Sequence, residues 1–122
     1  MDGIMKYYRP TAIVMQCGAD SLGSDRLGVF NLSMDGHGEA VRHMKNYGIP
    51  IMYLGGGGYT LKNVSRVWTY ETSIIANTEI DNELPYSEYF EYFRPDYSLK
   101  PNIINNRVSK VLSCGTRFSW FE

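Results

Sequence analysis

Two side chains able to take part in catalysis follow the two apolar runs of this sequence. Asp20 stands three residues beyond the run 11–17, and Tyr59 stands five residues beyond the run 49–54. A carboxylate can hold a metal ion or a proton, and a phenol can donate a hydrogen bond to developing negative charge. If the runs form neighbouring parallel strands, about 4.8 Å apart, both groups converge on one crevice. The simpler interpretations are a loop aspartate bonded to local backbone and an aromatic residue packed at a helix start.

Four consecutive glycines, at 55–58, separate the second run from Tyr59. Such a run is costly in backbone entropy and is tolerated where the backbone must approach another group closely. It does not match a phosphate-binding loop, because Tyr59 follows the last glycine where lysine is required and Lys62 comes too late. We therefore expect the glycines to permit a close approach rather than to bind a nucleotide.

The sequence offers few further metal ligands. Its histidines, His37 and His43, are six residues apart, which puts them on different faces of a helix. Neither a His-Glu-x-x-His nor a Cys-x-x-Cys motif occurs. A zinc site needs at least three protein ligands, of which Asp20 would be one. We predict that both histidines are solvent-facing helix residues.

The hydrophobic pattern predicts an α/β fold with a partial parallel sheet and flanking helices. The runs 11–17 and 49–54 are apolar without alternation, which is typical of parallel strands buried on both faces. A helix is predicted over about 36–47, ended by Gly48, and a second helix begins after Thr60 as its N-cap. This order of elements forms a βαβ crossover followed by another helix. The predicted apolar stripe of the second helix consists of Leu61, Val64, Val67, Trp68, Ile74 and Ile75.

Length and composition exclude several classes of protein. The 122 residues allow one domain at most, and 14% aromatic residues are too many for a globally disordered chain. A net charge of -1 gives no sign of nucleic-acid binding through bulk charge. No apolar run approaches the about 20 residues of a membrane span. Because the amino terminus lacks a signal peptide and two cysteines cannot form a disulfide framework, we expect a reducing, intracellular compartment.

Several long motifs occur in a fixed order along the chain. They include Gln-Cys-Gly-Ala-Asp-Ser-Leu at 16–22, Asp-Arg-Leu-Gly at 25–28, Leu-Gly-Gly-Gly-Gly-Tyr-Thr at 54–60 and Trp-Thr-Tyr-Glu-Thr at 68–72. These motifs resemble the carboxyl-terminal part of the catalytic domain of class I histone deacetylases, in the arginase/deacetylase superfamily. The resemblance covers residues 1–106 and leaves 107–122 as an unmatched tail.

The resemblance implies both a fold and a reaction. The family has one large parallel sheet flanked by helices, and its members hydrolyse the acetyl amide of lysine side chains, chiefly on histone tails. A zinc ion held by two aspartates and a histidine polarises the acetyl carbonyl. By this resemblance Asp20 is one zinc-binding aspartate, and Tyr59 is the tyrosine whose hydroxyl binds the developing oxyanion.

The resemblance also assigns the walls of a substrate tunnel. Leu27 matches a residue that lines the acetyl-lysine tunnel, while Gly56, Gly57 and Gly58 match the wall near its floor. Side chains at these three positions would block the space. A tunnel wall would therefore account for the entropic cost of the glycine run.

An anion site is a further implication of the resemblance. Arg26 matches a basic residue that binds inositol phosphate where the enzyme meets its corepressor. The usual partner of that residue is an arginine, and Lys62 stands in its place, which keeps the charge but loses bidentate phosphate contact. Arg94 stands where the family usually has glycine, so a positive φ there would strain the turn.

The resemblance leaves most of a deacetylase domain unmatched. The family's paired histidines, which act as general base and its electrostatic partner, lie upstream of the matched part, as do the other two zinc ligands. Residues 1–8 look like the end of a helix, so we expect the chain to begin inside the domain. We interpret it as a piece of a zinc-dependent deacetylase that is inactive alone. The alternatives are a non-catalytic corepressor-binding module, a truncated paralogue, or a short enzyme that completes its site with another chain.

Partners and location follow from the same resemblance. It implies binding to acetylated histone tails and to subunits of a corepressor complex, with a role in chromatin regulation and transcription repression. It implies neither sequence-specific nucleic-acid binding nor attachment to a membrane. The expected location is the nucleus, with the cytoplasm as a second location.

Overall fold

The computed structural model describes residues 1–101, which form an α/β arrangement. In chain order the helices and strands are α1 (Asp2–Tyr7), β1 (Ile13–Gln16), α2 (Met34–Lys45), β2 (Ile51–Leu54) and α3 (Leu61–Ile75). Two short 3-10 helices cover Ala19–Ser21 and Phe90–Phe93. The predicted order of strands and helices is confirmed, whereas the predicted tail at 107–122 lies outside the described residues. Within residues 1–101, no helix combines the length and the apolar character needed to cross a bilayer.

The two strands pair in parallel, as the sequence predicts. Ile13 lies opposite Ile51, and the register continues to the last residues of both strands. The pairing extends past the strand ends, because the Cys17 N–H donates to the Leu54 carbonyl at 2.8 Å. The loops that follow β1 and β2 therefore start side by side at the same edge of the sheet.

Burial alternates along both strands, which differs from the prediction of two buried faces. Val14 of β1 is 67% exposed and Met52 of β2 is 61% exposed, while their neighbours along each strand are partly buried. The prediction is wrong for the described part of the chain, because no side chain of residues 1–101 covers this second face. The apolar composition of the strands indicates that this face needs to be buried, but it does not show whether other residues cover it.

Helices α2 and α3 pack on each other and on the loop that follows β1. Leu22, Val41 and Val67 are fully buried between these parts. The predicted stripe of α3 is only partly correct, because Leu61 in the first turn is 66% exposed. The polar residues Arg66, Tyr70 and Glu71 of α3 are buried instead.

The predicted start and end of α2 and the predicted start of α3 lie within about two residues of the observed ones. Helix α2 begins at Met34, two residues before the predicted start, because the Ser33 hydroxyl accepts a hydrogen bond from the Gly36 N–H at 3.0 Å. Gly48 has a φ of +66°, in keeping with its predicted place after the end of this helix. Thr60 precedes α3 as predicted, but its hydroxyl donates to the Ser24 carbonyl at 3.0 Å instead of capping the helix.

Candidate active site

The glycine run after β2 lies against the loop that follows β1. The Ala19 N–H donates to the Gly57 carbonyl at 2.6 Å. A Cβ atom on Gly57 would overlap the carboxylate of Asp20. A Cβ atom on Gly56 would overlap the side-chain amide of Gln16. The expected close approach is confirmed, and the groups that require it are side chains at the carboxyl end of β1.

Gly58 adds a conformational requirement to this close approach. Its φ of +150° lies in the region that side chains disfavour, and a Cβ atom there would lie 2.6 Å from Val64 Cγ2. The same atom would lie 3.1 Å from the Ala19 Cβ. Gly58 therefore turns the chain from the loop into α3 over the core, one residue before Tyr59.

Asp20 occupies the position that the sequence predicts for a metal-binding carboxylate. It is partly buried on the 3-10 helix Ala19–Ser21, with its carboxylate against Gly57. Within residues 1–101 no group of three His, Cys, Asp or Glu side chains is arranged to hold a metal ion. The described residues therefore do not complete a zinc site, and the assignment of Asp20 as a zinc ligand stays a prediction.

Asp25 is a residue of the site that the sequence reasoning missed. Asp25 is only 9% exposed, and its carboxylate accepts hydrogen bonds from the N–H groups of Leu27, Gly28, Tyr59 and Thr60 at 2.8 to 3.2 Å. Burial by itself raises the pKa of this carboxyl, but the four N–H donors outweigh burial and lower it. Asp25 stays charged and ties the loop of Leu27 to the loop of Tyr59. Asp25 belongs to the motif at 25–28, but the motif by itself does not indicate which groups its carboxylate bonds.

Leu27 and Tyr59 keep accessible side chains although their backbones are anchored. The Leu27 side chain is 62% exposed and that of Tyr59 is 44% exposed. Both N–H groups donate to Asp25, which holds the two residues in one local structure. The described residues thus bring Asp20 and Tyr59 to one edge of the sheet, as the strand order predicts, and Asp25 holds Leu27 close to Tyr59 there. Their roles in oxyanion binding and in a tunnel stay predictions.

His37 is buried, so its prediction as a solvent-facing residue is wrong. It is 9% exposed, and its ring lies between the Ser21 hydroxyl at 2.8 Å and the Glu71 carboxylate at 3.1 Å. Because α2 starts at Met34, His37 falls on the same helix face as Met34 and Val41, which are both buried. The spacing of these three residues was the available signal. The other histidine, His43, is exposed as predicted.

The buried histidine connects three elements around the predicted metal ligand. Ser21 directly follows Asp20, His37 belongs to α2, and Glu71 belongs to α3. The hydrogen bonds from Ser21 through His37 to Glu71 therefore fix the 3-10 helix that carries Asp20 onto both long helices. A buried polar network of this kind specifies one arrangement when its members are all paired.

Cys17 lies near these groups but is suited to packing rather than to chemistry. It is 7% exposed, and burial, assisted by the nearby Glu71, raises the pKa of its thiol to about 11. A thiol in this state is neither a good nucleophile nor a good metal ligand. Its carbonyl accepts a hydrogen bond from the Trp68 indole N–H at 2.8 Å, which joins the end of β1 to α3.

The two residues predicted to bind inositol phosphate differ in their surroundings. The Lys62 ammonium donates to the Arg94 carbonyl at 2.9 Å and lies 5.4 Å from the centre of the Tyr92 ring. Arg26 is exposed on the loop between Leu22 and Leu27. The φ of Arg94 is −50°, so the strain expected from a positive φ is absent. The anion site itself stays a prediction.

A cavity of about 810 Å³ lies apart from these groups, between α2, α3 and the segment that follows them. Three cations line it, and each has a partner within the fold. Lys45 donates to two carbonyls at the end of α3 at 2.6 and 2.9 Å. Arg42 donates to the Tyr70 hydroxyl at 2.9 Å, and Lys100 pairs with Asp35 at 3.1 Å. These cations hold the helices together rather than form an open anion site.

Open α/β sheets bind their ligands beyond the carboxyl ends of the strands, and Asp20 and Tyr59 lie at that edge of the sheet. The family model for the histone deacetylase domain matches residues 1–75. This match covers more than half of the chain. The chain therefore belongs to the histone deacetylase family.

Three relatives support the same assignment. Histone deacetylase B of Dictyostelium discoideum is 57% identical over 102 residues, which cover 84% of this chain and 24% of that protein. Histone deacetylase 6 of Arabidopsis thaliana is 58% identical over 96 residues, or 79% of this chain and 20% of that protein. Histone deacetylase RPD3 of Saccharomyces cerevisiae is 56% identical over 96 residues, which cover 79% of this chain and 22% of that protein. The resemblance to class I deacetylases is confirmed, and the chain spans 20% to 24% of the length of these relatives.

Proposed function

We propose that this chain contributes Asp20 and Tyr59 to the site of a histone deacetylase that hydrolyses acetyl-lysine amides in histone tails. The observation that carries the proposal is the contact between Gly57 and the Asp20 carboxylate at the ends of two paired strands. Tyr59 follows two residues later, with its backbone N–H bonded to Asp25 at 2.8 Å. Family membership supports the reaction class.

In this proposal the hydroxyl of Tyr59 donates a hydrogen bond to the acetyl oxygen as negative charge develops on it. Such a donor acts mainly in the transition state, because the charge is largest there. Leu27 contacts the aliphatic part of the lysine side chain, and the backbone of Gly56, Gly57 and Gly58 forms the wall near the floor of the channel. Asp20 is the carboxylate that this chain offers to a metal ion, and the general base and remaining ligands come from residues outside the described part.

The wider role is proposed by analogy with the relatives, which are named as histone deacetylases. We propose a nuclear role in transcription repression with corepressor subunits as partners, and inositol phosphate binding at Arg26 and Lys62. Zinc is the proposed metal. The alternative of a non-catalytic corepressor-binding module is not favoured, because the relatives carry the name of an enzyme.

The test uses a chimera of histone deacetylase B in which the matched segment is replaced by this chain. We expect the chimera to hydrolyse an acetyl-lysine peptide and Tyr59→Phe to lower kcat by a factor of about 10² to 10³, with little change in KM. The control is Tyr8→Phe, since the Tyr8 side chain is 79% exposed on the segment before β1. A folded chimera without turnover would contradict the proposal, as would a Tyr59→Phe variant with unchanged kcat.

A further inference from the structure

The two oxygens of the Asp25 carboxylate serve two different loops. Oδ1 accepts from the N–H groups of Leu27 at 2.9 Å and Gly28 at 2.8 Å. Oδ2 accepts from the N–H groups of Tyr59 at 2.8 Å and Thr60 at 3.2 Å. A carboxylate is the side chain suited to this place, because both of its oxygens are acceptors. An amide of the same size would turn a donor toward one of the two pairs of N–H groups.

The loop that carries Asp25 also contacts the residue predicted to bind metal. A Cβ atom on Gly28 would overlap the carbonyl oxygen of Asp20. On its other side the loop is joined to the start of α3, where the Thr60 hydroxyl donates to the Ser24 carbonyl at 3.0 Å. The loop thus lies between the backbone of Asp20 and the backbone of residues 59–60, and Asp25 is its buried anchor.

From this arrangement we infer that Asp25 is a positioning residue that sets where the Tyr59 hydroxyl points relative to the substrate channel beside Leu27. The inference rests on the proposed function, since it concerns the aim of the proposed oxyanion donor. Asp25 touches no substrate in this arrangement, because its oxygens are occupied by backbone N–H groups. Its effect on the reaction passes through the backbone of Tyr59.

The first test is Asp25→Asn in the chimera. Its oxygen can serve one loop only, so the other loop is released. A displacement of about 1 Å in a reacting group can cost about 10²-fold in rate. We expect kcat to fall by about 10- to 100-fold with a smaller change in KM. The matched control is Asp81→Asn, at an exposed aspartate away from the site, and we expect native kinetics for it.

A second variant separates positioning from a loss of folded protein. If Asp25 acts through the Tyr59 hydroxyl, Asp25→Asn costs much less kcat in a Tyr59→Phe background than in the native background. A purely structural effect would be equally large in both backgrounds. Amide hydrogen exchange gives a readout without turnover, and we expect faster exchange at the Tyr59 and Thr60 N–H groups or at those of Leu27 and Gly28.

The possible results distinguish this inference from the proposed function. Native kcat in Asp25→Asn, together with a severe loss in Tyr59→Phe, would overturn the inference and leave the proposed function intact. Native kcat in Tyr59→Phe would overturn the proposed function itself. If Asp25→Asn does not fold, Asp25→Glu keeps both acceptor oxygens and takes its place. We then expect a folded variant with reduced kcat, and equal losses in the native and Tyr59→Phe backgrounds would overturn the inference.

Discussion

Adding one methyl group to Gly57 tests whether the glycine run keeps Asp20 in place. The new Cβ atom would overlap Asp20 Oδ2 and lie 3.2 Å from Oδ1, so either the carboxylate or the loop must move. The obstacle is the end of a short side chain, which can rotate, so the stability cost falls at the low end of the about 1–3 kcal/mol that overpacking causes. A shift of the carboxylate by about 1 Å is compatible with a loss of about 10²-fold in kcat.

A methyl group on the next residue, Gly58, is expected to affect stability more than catalysis. A Cβ atom on Gly58 would lie 2.6 Å from Val64 and 3.1 Å from Ala19, which are both buried in the core. Together with the φ of +150°, this contact makes Gly58→Ala a stability variant, with an expected loss of about 1–3 kcal/mol or more. Gly3→Ala serves as the control, because nothing lies within 4 Å of its added Cβ atom.

The assay combines steady-state kinetics of the chimera with its urea unfolding. We expect Gly57→Ala to lower kcat strongly while the free energy of unfolding changes little, and Gly58→Ala to lower the free energy of unfolding. Gly3→Ala should change neither. Native kcat in a folded Gly57→Ala variant would refute the reasoning, because the carboxylate would then tolerate displacement or would play no part in the reaction.

Other predictions concern the isolated chain, the buried histidine, the acid range and the anion site. We expect the isolated chain to show no turnover and to self-associate through the exposed face around Val14, and a monomeric peak in size-exclusion chromatography would contradict this. His37→Ala should destabilise the fold in urea by about 1–3 kcal/mol, because it leaves buried partners unpaired, while His43→Ala should have little effect. The pKa of Asp25 is lowered on folding, so the charged carboxylate stabilises the fold fully above its unfolded pKa of about 3.9, and this stabilisation is lost as pH falls through the lower folded pKa. The free energies of unfolding of the native and Asp25→Asn forms should therefore converge at low pH. Arg26→Glu should weaken inositol-phosphate-dependent corepressor binding in a pull-down, and unchanged binding would argue against the anion site.

The strand pairing and the close approach of the glycine run were predictable, because both rest on local patterns. An apolar run that ends in glycine indicates a strand, and a run of four glycines is too costly in entropy unless something lies close to it. The identity of the neighbours was not predictable in this way. Asp20 and Gln16 lie against Gly57 and Gly56 because parallel pairing sets the two loops side by side.

The contacts of the buried polar residues His37 and Asp25 could not be predicted from the sequence. The sequence predicts His37 in solvent, but its ring is bonded to Ser21 and Glu71, which are 16 and 34 residues away in the chain. Asp25 was part of a recognised motif, yet its bonds to residues 59 and 60 span more than 30 positions. Helical spacing can indicate that His37 faces the core, but the partners of His37 and Asp25 depend on how the distant parts of the chain pack together.

By itself, the sequence determined the βαβ order, the position of both loops at one sheet edge and membership of the deacetylase family. These features depend on periodicity, on glycine content and on motifs that are contiguous in the chain. Only the tertiary structure decided that Asp25 joins the loops of Leu27 and Tyr59 and that His37 is buried. It also decided that one face of the sheet is open among the described residues. The physical reason is that burial and hydrogen bonding are properties of neighbours in space, and the chain brings those neighbours together only when it folds.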